Sequence, residues 1–295
     1  MYSVFIEKRI AGIRQGLNNS DIGVEARRHS ERLIRALEEG AFCFRIEPWH
    51  DVSLRSAFDV GSIGEMLLHV FGQENTDFNI RWAIGTIYEG GYYRDFDEVI
   101  VALALQQAEA QGNFPAAINI SPESACDKKF WENLAPVLGN YNPHDVVFEL
   151  LEEDYNPGEQ EVAVLKAARK MGYRFALDDV ENNFRDEDRM KAFGECVDFI
   201  KIAGEMIEEW ELGVPGLASF VEGLRARASN SQFIAEWVSS AAKARFLAEM
   251  GFNAVQGRYL PLSRVEFTRR LNRTPTVRMR MAHGGLKYSF ASLGA

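Results

Sequence analysis

The chain is poor in the residues that make covalent or cysteine-ligated folds. Among 295 residues there are three cysteines, Cys43, Cys126 and Cys196, far apart and without a C-x-x-C pair. This excludes a disulfide framework and a cysteine zinc site, and it is the cysteine usage of a reducing cytosol, so a cytoplasmic protein is expected. Long apolar runs are also missing: the longest, Val99 to Leu105, has seven residues, whereas a bilayer-crossing helix needs about 20. The opening MYSVFIEKRIAG lacks the apolar stretch of a secretory signal. The five histidines (His29, His50, His69, His144, His283) have no pair at zinc-ligand spacing. Positive charge is scarce, with 33 basic against 43 acidic residues and a net charge of -10. A nucleic-acid partner is therefore not expected for the body of the chain.

What is present is ordinary globular composition, 46% hydrophobic and 26% charged, enough to build a core. Charge is unevenly placed: from Arg264 onward seven basic residues face one acid. This basic tail, residues 264–295, is read as solvated and packed back on the body, or as a contact for an acidic protein partner, an anionic lipid surface or nucleic acid. Residues 1–28 read as a short helical lead-in. A helix is expected from Ser30 as N-cap, with Leu33, Ile34 and Leu37 on one face and Gly40 past its end. Short apolar runs then alternate with amphipathic stretches. The runs are Phe42–Ile46, Ala116–Ile120, Val146–Leu151, Arg174–Leu177, Asp198–Ile202, Gln232–Ala235 and Phe252–Val255. That alternation indicates a mainly parallel α/β sheet with strands buried on both faces.

Each run from Ala116–Ile120 onward carries a chemically useful group near its end: Asn119, Glu149 (with Glu152 just beyond), the pair Asp178–Asp179, Lys201, Glu236 and Gln256. An earlier segment carries Glu65. From Glu65 onward the spacings are 54, 30, 29, 23, 35 and 20 residues, and beyond the first each fits one βα unit. Polar groups recurring at the ends of successive parallel strands converge on one rim of a barrel, whereas in a flat doubly wound sheet they would lie along a line. The expected fold is thus α/β, a modified TIM (β/α)8 barrel over residues 29–263. Several carboxylates in one pocket with a single lysine call for divalent cations with oxygen ligands. Adjacent carboxylates such as Asp178–Asp179 can bridge two cations, clamp a phosphodiester and activate a water, which Lys201 and Glu236 would orient or deprotonate.

These segments resemble the EAL domain family, cyclic di-GMP phosphodiesterases of modified TIM-barrel fold, over about residues 30–263. Glu65-Met66-Leu67 is similar to the Glu-Ala-Leu signature, INIS to Asn-Leu-Ser, ELLE to Glu-Leu-Thr-Glu, ALDDV to the Asp-Asp loop, IKIA to Ile-Lys-Ile-Asp, IAEWVS to Ala-Glu-Gly-Val-Glu and VQG to the closing Gln-Gly. The resemblance implies hydrolysis of cyclic di-GMP to linear pGpG with two Mg²⁺ or Mn²⁺ ions, Ca²⁺ acting as an inhibitory substitute. It implies one ion on Glu65, Asn119, Glu149 and Asp178, and the second on Asp178, Asp179 and Glu236. Lys201, Glu236 and Gln256 would serve the attacking water, and Glu152 would brace the loop after Asp179. Glu65, Leu67, His69 and Trp49 would meet the substrate, Trp49 by stacking on a guanine. A homodimer is the family's expected assembly.

Departures from the pattern carry their own expectations. His69 stands where the family has a phosphate-binding arginine, and a neutral imidazole gives no bidentate contact. The loop Val180–Asp186 lacks the family's two glycines, so its turns are expected at Asn182 and Asn183, with Glu181 and Asp186 adding negative charge. Trp237 replaces a glycine and Ser239 a glutamate. A catalytically degenerate module that binds cyclic di-GMP or a protein is the alternative to an active enzyme, and a regulator that binds no nucleotide is the third. The Gly-rich stretch with Gly85, Gly90, Gly91 and Tyr88, Tyr92, Tyr93 offers a loop over the pocket.

Overall fold

The computed structural model describes residues 2–20, 22–52, 63–72, 77–258, 260–261 and 266–267, and the backbone of 277–282 and 285–290. It divides into two compact units, residues 1–46 with 65–174, and residues 47–64 with 175–295.

The first unit opens with two helices, α1 (Tyr2–Asn19) and α2 (Val24–Glu39). Ile10, Ile13 and Leu17 recur at helical spacing and are buried. Arg27 donates to the carbonyls of Leu17 and Ser20, satisfying carbonyls that the end of α1 leaves open. The expected N-cap at Ser30 is corrected: α2 begins at Val24. Ser30 is a buried interior residue whose hydroxyl donates to the Ala26 carbonyl at 2.9 Å, with the carbonyl of Ala83, in the helix Ile80–Glu89, a longer second acceptor at 3.3 Å. Gly40 does end the helix, in the left-handed conformation at φ 67° with its N–H on the Ala36 carbonyl.

Next come β1 (Phe42–Pro48), β3 (Gly64–Val70), α3 (Ile80–Glu89), α4 (Tyr93–Gln111), β4 (Ala116–Ile120), α5 (Pro122–Cys126), α6 (Lys128–Leu138), β5 (Val146–Leu150) and α7 (Glu159–Lys170). Within this unit the strand order is β1-β3-β4-β5. The β4 and β5 strands are parallel, with Asn119 opposite Glu149. Helix α1 lies close on the start of α4. A Cβ on Gly16 would come within 1.8 Å of the Tyr92 ring, so only glycine permits this approach. Arg9 bonds Asp95 at 2.8 Å and Glu98 at 2.6 Å. Tyr88 is hydrogen-bonded to the buried Asp97. The Gly-rich stretch is therefore a helix junction holding α1, α3 and α4 together rather than a loop over a pocket.

The second unit holds β2 (His50–Asp51), β6 (Arg174–Val180), α8 (Phe184–Phe193), β7 (Phe199–Ile202), α9 (Gly204–Glu211), α10 (Leu217–Arg227), β8 (Gln232–Ala235), α11 (Ala241–Glu249) and β9 (Ala254–Val255). Its strand order is β6-β7-β8-β9-β2, parallel from β6 to β9, with β2 antiparallel to β9. Phe175, Leu177, Ile200, Phe233, Ile234 and Val255 are almost wholly buried, the two-sided burial that their continuous apolar runs require. Of the expected basic tail, β10 (Val277–Ala282) and β11 (Gly285–Phe290) pair as an antiparallel hairpin. Arg264, Arg269, Arg270 and Arg273 lie outside the described residues.

His50 is 1% exposed and stacks on Phe267, ring centroids 4.2 Å apart. Burial lowers its pKa from 6.5 to about 4, against the opposing pull of the Pro261 backbone carbonyl. The unfolded chain takes up this proton near pH 6.5 and the folded chain only near 4, so its contribution to stability is complete above 6.5 and is lost as pH falls through that window. Urea unfolding of the wild type is expected to show that pH dependence. In His50→Leu the slope between pH 6.5 and 4 should be smaller; an unchanged slope would refute the assignment.

Candidate functional site

In the second unit the sequence pair Asp178–Asp179 sits on a β-bulge. Leu177 is opposite Ile200 and Val180 opposite Ile202, so both aspartates oppose the single residue Lys201. A bulge of this kind re-aims side chains that strict alternation would send to opposite faces. Asp179 accordingly has φ 46°, a conformation that aspartate tolerates better than most residues.

Lys201 is 1% exposed. Its ammonium bonds Asp178 Oδ1 at 2.6 Å and Glu236 Oε1 at 2.8 Å. Glu236 follows β8 directly, and its N–H is held by the Ile202 carbonyl. Burial drives the Glu236 carboxyl well above the ordinary carboxylate range. Lys201 opposes that rise, while the charges of Asp178 and Asp179 add to it. Gln256 follows β9, is 5% exposed and bonds the Ala235 carbonyl through its N–H. The unit thus gathers Asp178, Asp179, Lys201 and Glu236, three carboxylates against one ammonium. This oxygen-rich donor set with excess negative charge fits hard divalent cations.

In the first unit Glu65 is 4% exposed and accepts from Asn119 Nδ2 at 2.7 Å. The amide's other end, Asn119 Oδ1, is buried with no hydrogen-bond partner. A buried oxygen left this way is costly, and here it stands beside a carboxylate and opposite Glu149, which is fully buried. These three residues also fit a hard cation. Glu152 is half-buried just past β5, and Leu67 is half-buried on β3.

The remaining expectations fare differently. Trp49 has no exposed surface. Its ring meets Phe199 edge-on at 5.3 Å, and the Lys201 ammonium lies 6.0 Å from the ring centroid. A ring so enclosed presents no face to a base, so the expected stacking of Trp49 on a guanine is corrected: the indole is part of the core. His69 is 6% exposed, and Arg45 Nη2 lies 2.8 Å from its Nε2. With arginine as obligatory donor, this nitrogen accepts. A guanidinium is therefore supplied at this place by a residue the sequence did not single out. The one clue was a charge within the otherwise apolar run Phe42–Ile46.

The loop after Asp179 is also corrected. Asn182 and Asn183 do not take positive φ. Asn183 caps α8, accepting from the Asp186 N–H at 2.8 Å. Asp186 adds no open charge: it is 1% exposed, accepts from the Glu181 N–H at 3.0 Å and pairs with Arg189 Nη1 at 2.5 Å. Arg189, 3% exposed, donates its Nη2 to the Asp178 carbonyl at 2.9 Å. A buried ion pair thus ties the rebuilt loop to the backbone of Asp178, a brace that no motif announced.

The EAL domain family model matches residues 30–262, and the chain belongs to that family. The curated protein cyclic di-GMP phosphodiesterase PdeF of Escherichia coli (strain K12) is 25% identical over 236 residues, 77% of this chain and 30% of its own length. The chain thus spans about a third of that relative. Among solved structures, the EAL enzyme Bd1971 in its cGMP-bound form matches with TM-score 0.66 and 18% identity, over 86% of this chain and 71% of its own. The FimX EAL domain from Pseudomonas aeruginosa bound to c-di-GMP matches with TM-score 0.63 and 20% identity, over 78% and 93%. The PaMucR phosphodiesterase in complex with c-di-GMP matches with TM-score 0.62 and 17% identity, over 79% and 95%. The fold is that of the EAL domain, an α/β nearly closed barrel with N-terminal helices, as the strand-end pattern implied. No helix among the described residues is long and apolar enough to cross a membrane.

Removing one partner of a buried ion pair strands the other, typically at about 3–5 kcal/mol. Arg189→Ala should destabilise the protein by that amount in urea unfolding. Arg189→Ala with Asp186→Ala should cost less than the two single changes added together; strict additivity would show that the pair is not coupled.

Proposed function

We propose that this chain is an EAL-type phosphodiesterase that hydrolyses cyclic di-GMP to linear pGpG. The observation that carries the reading is the buried Lys201 held between Asp178 and Glu236, in a chain of the EAL family. Glu65, Asn119, Glu149 and Asp178 would hold one Mg²⁺ or Mn²⁺, and Asp178, Asp179 and Glu236 a second. Such ions, when bound, polarise a phosphodiester and lower the pKa of a water.

The chain's own groups have separate tasks. Glu236 accepts the proton of the attacking water, and neutralising the nearby carboxylates brings its raised affinity for a proton back to a range useful to a base. Lys201 fixes Glu236 and Asp178 relative to each other and offers an N–H to the water. Gln256 orients the same water, and Glu152 and Arg189 keep the loop after Asp179 in place. Binding without turnover is the second reading. It is favoured by His69 and by the loss of both loop glycines.

Incubation with cyclic di-GMP and Mn²⁺, followed by chromatography for pGpG, tests both readings. The expected result is turnover that falls about 10²–10⁴-fold in Glu236→Gln, the usual contribution of a general base, and that chelation removes. Tight binding with no product would establish the second reading, and absence of binding would overturn both.

A further inference from the structure

Trp237 occupies a position that an L-residue of its size rarely takes. Its φ is 53°, where a bulky side chain meets its own backbone. The conformation is imposed from both sides. Before it, the Glu236 N–H is bonded to the Ile202 carbonyl at 3.2 Å; after it, the Val238 N–H is bonded to the Gln256 carbonyl at 3.0 Å, with Val238 fully buried. Backbone strain of this kind persists only where the surroundings over-determine it, and it concentrates at functional sites.

The side chain is equally constrained and yet open. One side of the indole lies on Gly204, at the start of α9 directly after the Lys201 strand. A Cβ on Gly204 would come within 2.1 Å of the ring. The residue nevertheless remains 49% exposed. A large aromatic clamped on glycine, half open to solvent and adjacent in sequence to the buried Glu236, has the properties of a stacking platform. The indole face carries the negative end of the ring quadrupole and suits a flat heteroaromatic.

The geometry points to Trp237 as the platform for one purine base of a bound nucleotide, in place of the stacking expected of Trp49. This assignment rests on the reading of cyclic di-GMP as ligand. It adds a base-binding residue at a position where the sequence pattern of the family has glycine.

The test compares cyclic di-GMP binding by titration calorimetry in the wild type, Trp237→Gly and Trp237→Phe, each with its thermal midpoint. Base–aromatic stacking is worth about 1–3 kcal/mol, so Trp237→Gly should weaken binding by about 5–150-fold, and Trp237→Phe should restore most of it. Glycine accepts the positive φ without strain, so the Trp237→Gly protein should fold with little change in midpoint, separating loss of affinity from loss of structure. If the wild type binds cyclic di-GMP and Trp237→Gly binds it equally well, the platform is refuted and the phosphodiesterase reading stands. A wild type that does not bind the nucleotide refutes both. A loss of affinity in Trp237→Gly accompanied by a matching fall in midpoint, with no recovery of affinity in Trp237→Phe, would show that Trp237 only supports the fold of the site and would refute the platform.

Discussion

A lysine ammonium with almost no access to water must be neutralised by the protein, because an isolated buried charge costs more than a small domain can sustain. Lys201 meets that demand with two carboxylates, Asp178 and Glu236, drawn from the strand before it and the loop after β8. Much of the second unit's local architecture serves this arrangement. The bulge in β6 sets two aspartates against one lysine, and the left-handed residues Asp179 and Trp237 flank the cluster in sequence. Arg189 holds the carbonyl of Asp178 from behind. Together, three carboxylates and one ammonium leave a surplus of negative charge, which is what makes the cluster receptive to cations rather than a closed structural ion pair.

The first unit shows the same logic with different atoms. Asn119 spends its amide hydrogens on Glu65 and leaves its oxygen buried and unpartnered. A protein that only needed a stable strand end would place an apolar residue there. The amide is informative because its oxygen is buried without a hydrogen-bond donor from the described residues.

The family's usual glycine loop after the aspartate pair has been replaced without losing order. An asparagine cap, a buried Asp186–Arg189 pair and backbone bonds take over the work of the missing glycines. Two different solutions to the same loop are physically reasonable: glycines permit a tight turn by having no Cβ, while the network here obtains order by hydrogen bonding a longer-reaching set of side chains. Charges that would repel a phosphate if open to solvent become part of the scaffold when paired and buried, as Asp186 does.

What the linear chain determined is the fold class and the candidate groups. Two-sided burial forces strands such as Ala116–Ile120 and Val146–Leu150 to be continuously apolar, so a polar residue near the end of each is visible by contrast. Covalent neighbours like Asp178–Asp179 are legible for the same reason. The Ser30 cap and the guanine-stacking role of Trp49 misled because a hydroxyl also bonds a preceding carbonyl inside a helix, and an indole also fills a core. Only the tertiary structure decided that Arg45 meets His69, that Arg189 braces Asp178 and that Trp237 is pinned open. These contacts join residues on different elements through side-chain reach and backbone dihedrals, which hydrophobic periodicity does not encode.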